Sequence, residues 1–86
     1  MPTKEVRPEH YFSVCTGSLI KDIKELVFAL DYLSDGEFNY HVNDRKNDFS
    51  AWVRDVFGEK ELADELEKLK NKKDIQITLL KHLIKG

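Results

Sequence analysis

Cysteine is almost missing from this chain. Cys15 stands alone in 86 residues, so no internal disulfide can form. That usage suits a reducing, cytoplasmic setting. Cys15 lies between apolar residues on a predicted strand and has no His or basic residue as a sequence neighbour, so it reads as a small core residue and not as an activated thiol. Proline is confined to Pro2 and Pro8, which argue against a helix over residues 1–9. Residues 1–10 are expected to form a flexible arm. The four glycines, Gly17, Gly36, Gly58 and Gly86, are isolated from one another, which leaves no Gly-rich phosphate loop. The longest apolar run, residues 26–30, is far short of the roughly 20 residues a membrane span needs, so a membrane is not an expected partner. Residues 1–9 also lack the apolar stretch of a secretory signal. Charge of one sign is scarce too. The net charge of −2 divides into seven Lys/Arg against ten Asp/Glu before residue 59 and seven against six after it, so nucleic acid is not the default partner.

What is present points to a small soluble domain. Hydrophobic residues make up 41% and charged residues 35%, which is globular and not disordered. The length fits one domain, residues 1–86, that buries about 60–65% of its unfolded surface. Phe49, Trp52, Val53, Val56 and Phe57 fall at i, i+3, i+4, i+7 and i+8, one face of a central helix. Asn47 and Asp48 can cap its start, and Gly58 can end it in a left-handed turn. This helix holds the only Trp, and the other elements are short enough to need it as a packing partner.

Ahead of it, residues 11–14 alternate like a strand, Thr16-Gly17 reads as a turn, and Ser18-Leu19-Ile20 as a return strand. Asp22, with Glu25 at capping-box spacing, opens a helix whose stripe is Ile23, Leu26, Val27, Leu30 and Leu33. Phe28 and Tyr32 fall outside that stripe. Burial of the whole helix within its own chain is the simpler expectation, and contact with a partner the alternative. Ser34 and Glu37 form a second capping box before a short helix through Phe38, His41 and Val42. After Gly58 the helical pattern resumes with Leu62, Ala63, Leu66 and Leu69. It breaks at residues 71–73, and Asp74 is the expected cap of a last helix. That helix carries Ile75, Ile77, Leu79, Leu80, Leu83 and Ile84 over more than half its circumference, although residues 75–78 also alternate like a strand. The expected architecture is mainly α (α+β at most): a short N-terminal β-hairpin, then four or five short helices packed around the Trp-bearing one.

Three constellations carry possible chemistry. His41 precedes the Asn47-Asp48 cap closely enough to fold back over the helix start, accepting from a backbone N–H or donating to Asp48. A polar clasp between two helices is the favoured reading. The same His41 with Asp44 and Asp48, and His10 as an optional fourth, is the lesser alternative of a metal site; a metal needs three or four convergent ligands, and two carboxylates with one or two His on a loop and an arm are a weak signal for that. Lys68, Lys70, Lys72 and Lys73, helped by Arg45, Lys46 and Arg54, could touch phosphates, but no aromatics interleave them, and a solvated helix end where cations suit the dipole is the favoured reading. Ser50 has no nucleophile-elbow glycines, and Glu61, Asp64, Glu65 and Glu67 fit the solvated side of a helix beside Lys60 and Lys68. His82 reads as a boundary residue of the last helix.

The run His41-Val42-Asn43, Asn47-Asp48-Phe49-Ser50, Trp52-Val53, Asp55-Val56, Gly58 and Leu62-Ala63 resembles a family of small, mostly archaeal domains of unassigned function. The resemblance spans about Phe12 to Leu66 and implies no particular activity. By elimination the chain is expected to be a non-enzymatic protein-interaction or accessory module, able to self-associate, with no cofactor. Its expected partner surface is Phe28, Tyr32, Ile77, Leu80 and Ile84, its structural motif His41, Asn47, Asp48, Phe49 and Trp52. Non-specific nucleic-acid binding through residues 68–73 is the alternative.

Overall fold

The computed structural model describes residues 7–85. Within them an antiparallel hairpin, β1 (Phe12–Ser13) and β2 (Leu19–Ile20), precedes five helices: α1 (Ile23–Tyr32), α2 (Asp35–His41), α3 (Asp48–Phe57), α4 (Lys60–Glu67) and α5 (Lys72–Lys85). Phe12 pairs with Ile20 and Ser13 with Leu19, and the turn between them passes through Gly17 at φ +98°, a left-handed value that glycine adopts freely.

Local chemistry sets the helix ends. The Asp22 carboxylate accepts from the Glu25 N–H at 2.9 Å and starts α1, while Glu25 reaches one residue past its cap to accept from the Lys21 N–H at 2.8 Å. Ser34 and Glu37 make both bonds of a capping box at the start of α2. The Asn47 side chain caps α3, and Gly58 closes it at φ +67° with its N–H on the Arg54 carbonyl at 3.0 Å. The last helix begins earlier than expected. Asn71 Oδ1 accepts from the N–H groups of Lys73 and Asp74, so Asn71 is the cap and Asp74 sits inside the first turn. Residues 75–78 are helical, since the bonds of a 14-residue helix outweigh the β preference of two isoleucines and a threonine.

The buried side chains form one connected cluster, with Phe49, Leu26, Leu30, Leu33, Leu66, Ile75 and Leu79 fully enclosed. Phe49 comes from α3, and Phe12 and Phe38 lie against it, with ring centroids 5.0 Å apart for Phe12–Phe49 and 6.2 Å for Phe38–Phe49. Trp52 is edge-on to both Phe12 and Phe57. Val56, Phe57 and Leu69 are only partly buried at the margin. α4 packs along α3, and α5 runs antiparallel beside α1.

Three expectations need correcting. Cys15 is exposed: it follows Val14, which takes the inward position of the hairpin, and alternation turns Cys15 outward. Pro8 does not bar helix but begins a single 3-10 turn, Pro8–His10, because proline at the first helical position loses no needed N–H. The rest of the expected arm, residues 1–6, lies outside the described residues. Finally, α1 is not wrapped on two sides, since Phe28 and Tyr32 are both exposed.

Candidate functional site

His41 is the last residue of α2 and is 3% exposed. Its Nε2 lies 3.1 Å from the Cys15 backbone nitrogen and its Nδ1 lies 3.0 Å from Asp48 Oδ2. A backbone N–H can only donate, so Nε2 is the acceptor and the proton resides on Nδ1, which donates to Asp48. The neutral imidazole thus ties the hairpin, α2 and the first turn of α3 together. Phe12, Tyr40 and Phe49 enclose the ring, with centroids 5.0, 5.0 and 5.5 Å away. Asp48, favoured at the positive end of α3, also pairs with Lys46 Nζ at 3.0 Å, and that ammonium stands 5.0 Å over the Tyr40 ring.

Neighbouring residues secure α4 and the segment before β1. Asn47 Oδ1 accepts from the Ser50 N–H at 3.0 Å while its Nδ2 donates to the Leu66 carbonyl at 2.9 Å. Ser50 Oγ donates to the Ala63 carbonyl at 2.7 Å, which bonds α3 to α4. The Trp52 indole N–H donates to the His10 carbonyl at 2.8 Å, holding the segment before β1. No buried side-chain nitrogen or oxygen among the described residues lacks a partner.

This arrangement orients an imidazole between a carboxylate and a backbone amide. The position that a nucleophile would take in a triad is filled by the Cys15 N–H, while the Cys15 thiol points to the Glu37 carbonyl at 3.9 Å. Among the described residues no three His, Cys, Asp or Glu side chains converge as a metal site; His10 and Asp44 are exposed and stand apart from the His41–Asp48 pair.

The other candidates disperse. Lys70 Nζ donates to the Asn43 carbonyl at 3.0 Å and Lys72 Nζ to the Leu33 carbonyl at 2.6 Å, so two of the four lysines tie down the ends of neighbouring segments. Arg54, grouped with them as a phosphate contact, instead spans α3 to α4, binding Asp64 at 2.7 Å and Glu67 at 3.2 Å. Hydrogen bonds to Glu67 and Asp64 hold its guanidinium above the ordinary arginine pKa. His82 is partly buried and its Nε2 meets Glu59 Oε2 at 2.9 Å. A surface groove of about 620 Å³ between α4 and α5, bounded by Glu61, Glu65, Lys68, Lys81 and His82, carries mixed charge and lies away from His41.

The apolar candidates behave differently. Phe28, Tyr32, Ile77, Leu80 and Ile84 are all exposed, on the two helices that pack side by side. Leu83 joins them as an exposed apolar residue that was not singled out for this surface; its place in the last apolar stripe was the available signal. No helix among the described residues is long and apolar enough to cross a membrane. No curated protein and no solved structure matches the chain. Residues 6–85 do match the family of unknown function DUF5752, and the chain belongs to that family.

Proposed function

We propose that the chain is a non-enzymatic interaction module that works through the outward sides of α1 and α5. One observation carries this reading: Phe28, Tyr32, Ile77, Leu80 and Ile84 are 57%, 63%, 42%, 41% and 83% exposed. Single exposed apolar residues are ordinary, but a group of five on two adjacent helices is the kind of patch that a partner covers. The antiparallel register supports treating them as one surface. Lys72 bonds to Leu33, and Gln76 to Val27 and Asp31, which sets Ile77 level with Phe28 and Lys73 level with Tyr32. The residues of the polar clasp, by contrast, are engaged with one another. An exposed lone thiol at Cys15 also fits a reducing, cytoplasmic setting.

The test is sedimentation over a range of concentrations, together with recovery of bound protein from the native extract. Both are run on the wild type and on a Phe28→Ser, Ile84→Ser double variant. Association that the double variant loses is the expected result. A wild-type chain that stays monomeric and recovers no protein overturns the reading.

A further inference from the structure

We infer that the occupant of the α5 face is a second copy of this chain, docked antiparallel across a two-fold axis. The inference rests on the interaction reading above and names its partner. α5 carries two apolar stripes. Ile75 and Leu79 are fully buried against the domain, and Ile77, Leu80 and Ile84 lie outward. With Lys73, the outward residues follow spacings of four, three and four, the narrow seam of a two-helix coiled coil. The helix is 14 residues, about 21 Å at the usual rise, so this seam spans its whole length.

Charge selects both the partner and its direction. At about 100° per residue, Asp74 and Lys81 lie on the same flank of the seam, seven residues apart, on the side away from Gln76 and α1. In an antiparallel two-fold pair each flank meets the same flank of the other copy. Ile77 then packs against Leu80 of the second copy, and Lys73 lays its aliphatic stem against Ile84 of the second copy. Asp74 of each copy faces Lys81 of the other, so one complementary pair occurs twice. In a parallel pair the same flank would face Gln76 and Leu83, which offer no charge. Phe28 and Tyr32, level with Ile77 and Lys73 on the neighbouring helix, widen the floor on which the second α5 rests.

The experiment is sedimentation of the full chain from about 5 to about 500 µM, a span that brackets small, weak interfaces. The wild type is expected to shift from monomer to dimer. Ile77→Glu, with its helix content checked by circular dichroism, is expected to remain monomeric. Asp74→Lys and Lys81→Glu are each expected to weaken association about tenfold, because each sets like charges opposite twice. An equimolar mixture of those two single variants recovers near wild-type affinity as a heterodimer, since each restores the other's opposite charge. A dimer indifferent to Ile77→Glu, or one whose two charge variants fail to rescue each other, overturns the inference. So does a strict monomer across the range. In that last case the broader interaction reading stands if the native extract yields a protein whose binding depends on Phe28 and Ile84, and falls with it otherwise.

Discussion

The junction of α2 and α3 and the outer side of α1 and α5 use opposite kinds of residue to opposite ends. At the junction, His41, Asn47, Asp48, Ser50 and Trp52 are chemically versatile, and every one is bonded to another part of the chain. On the outer side, Phe28, Ile77, Leu80 and Ile84 carry no polar chemistry, yet they face solvent. The contrast shows that the most distinctive stretch of a sequence can be committed to holding the fold, because polar groups entering a small core must satisfy one another. In the proposed function, ordinary aliphatic residues are the ones left to meet a partner. On that division, changes at the junction are expected to act on stability, and changes on the outer side on association.

The largest effect is expected at Phe49. Its ring is fully enclosed between Phe12 and Phe38 and beneath His41, so Phe49→Ala removes the contact surface of several elements at once. A loss of about 3–5 kcal/mol is expected in urea unfolding, large for a domain of this size. A loss below about 1 kcal/mol would mean that the core can collapse around the missing ring, and would remove the claim that α3 organises it.

His41→Leu comes next. The substitution puts an apolar side chain of roughly the same size in the site, but it leaves the Cys15 N–H without its acceptor and Asp48 with Lys46 as its remaining partner. An unpaired, partly buried donor costs about 1–3 kcal/mol. Amide hydrogen exchange separates this from a general loosening: Cys15 should exchange faster than its hairpin neighbours relative to wild type. If protection at Cys15 is unchanged, the imidazole does not hold the hairpin. Asn47→Ala is expected to be milder, about 1–2 kcal/mol, since it removes the cap of α3 together with the bond to the Leu66 carbonyl. A helical circular dichroism signal that melts in one transition, at lower temperature, checks it.

Much of this was legible in the residues. Capping signals found the starts of α1, α2 and α3, because a Ser, Asn or Asp cap acts within three residues and needs no tertiary information. Gly58 ended α3 for the same reason. The misses had both local and tertiary causes. Asn71 was hidden as a cap because Asp74, equally suited in type, stood three residues on, and only backbone geometry chooses between them. Cys15 looked internal because two-residue strands give too little alternation to fix which face points inward. That Lys70 and Lys72 reach the carbonyls of Asn43 and Leu33 could not be read at all, since those partners are 27 and 39 residues away. The outward stripe of α5 was visible as surplus hydrophobicity, but only the packing of Ile75 and Leu79 shows which part is surplus.

Ile84→Ser is the smallest change and the one that sharpens the contrast most. Ile84 is 83% exposed, so the folded monomer loses almost no buried surface, and in dilute solution the unfolding free energy should move by no more than about 0.5 kcal/mol. Association couples to stability by mass action, because whatever binds only the folded chain raises its melting temperature as concentration rises. The wild-type melting temperature should therefore climb with protein concentration, and that of the Ile84→Ser variant should climb less, with the two curves meeting at the dilute end. A constant offset at every concentration would instead place Ile84 among the residues that hold the monomer together, and the line drawn between the two regions would have to move.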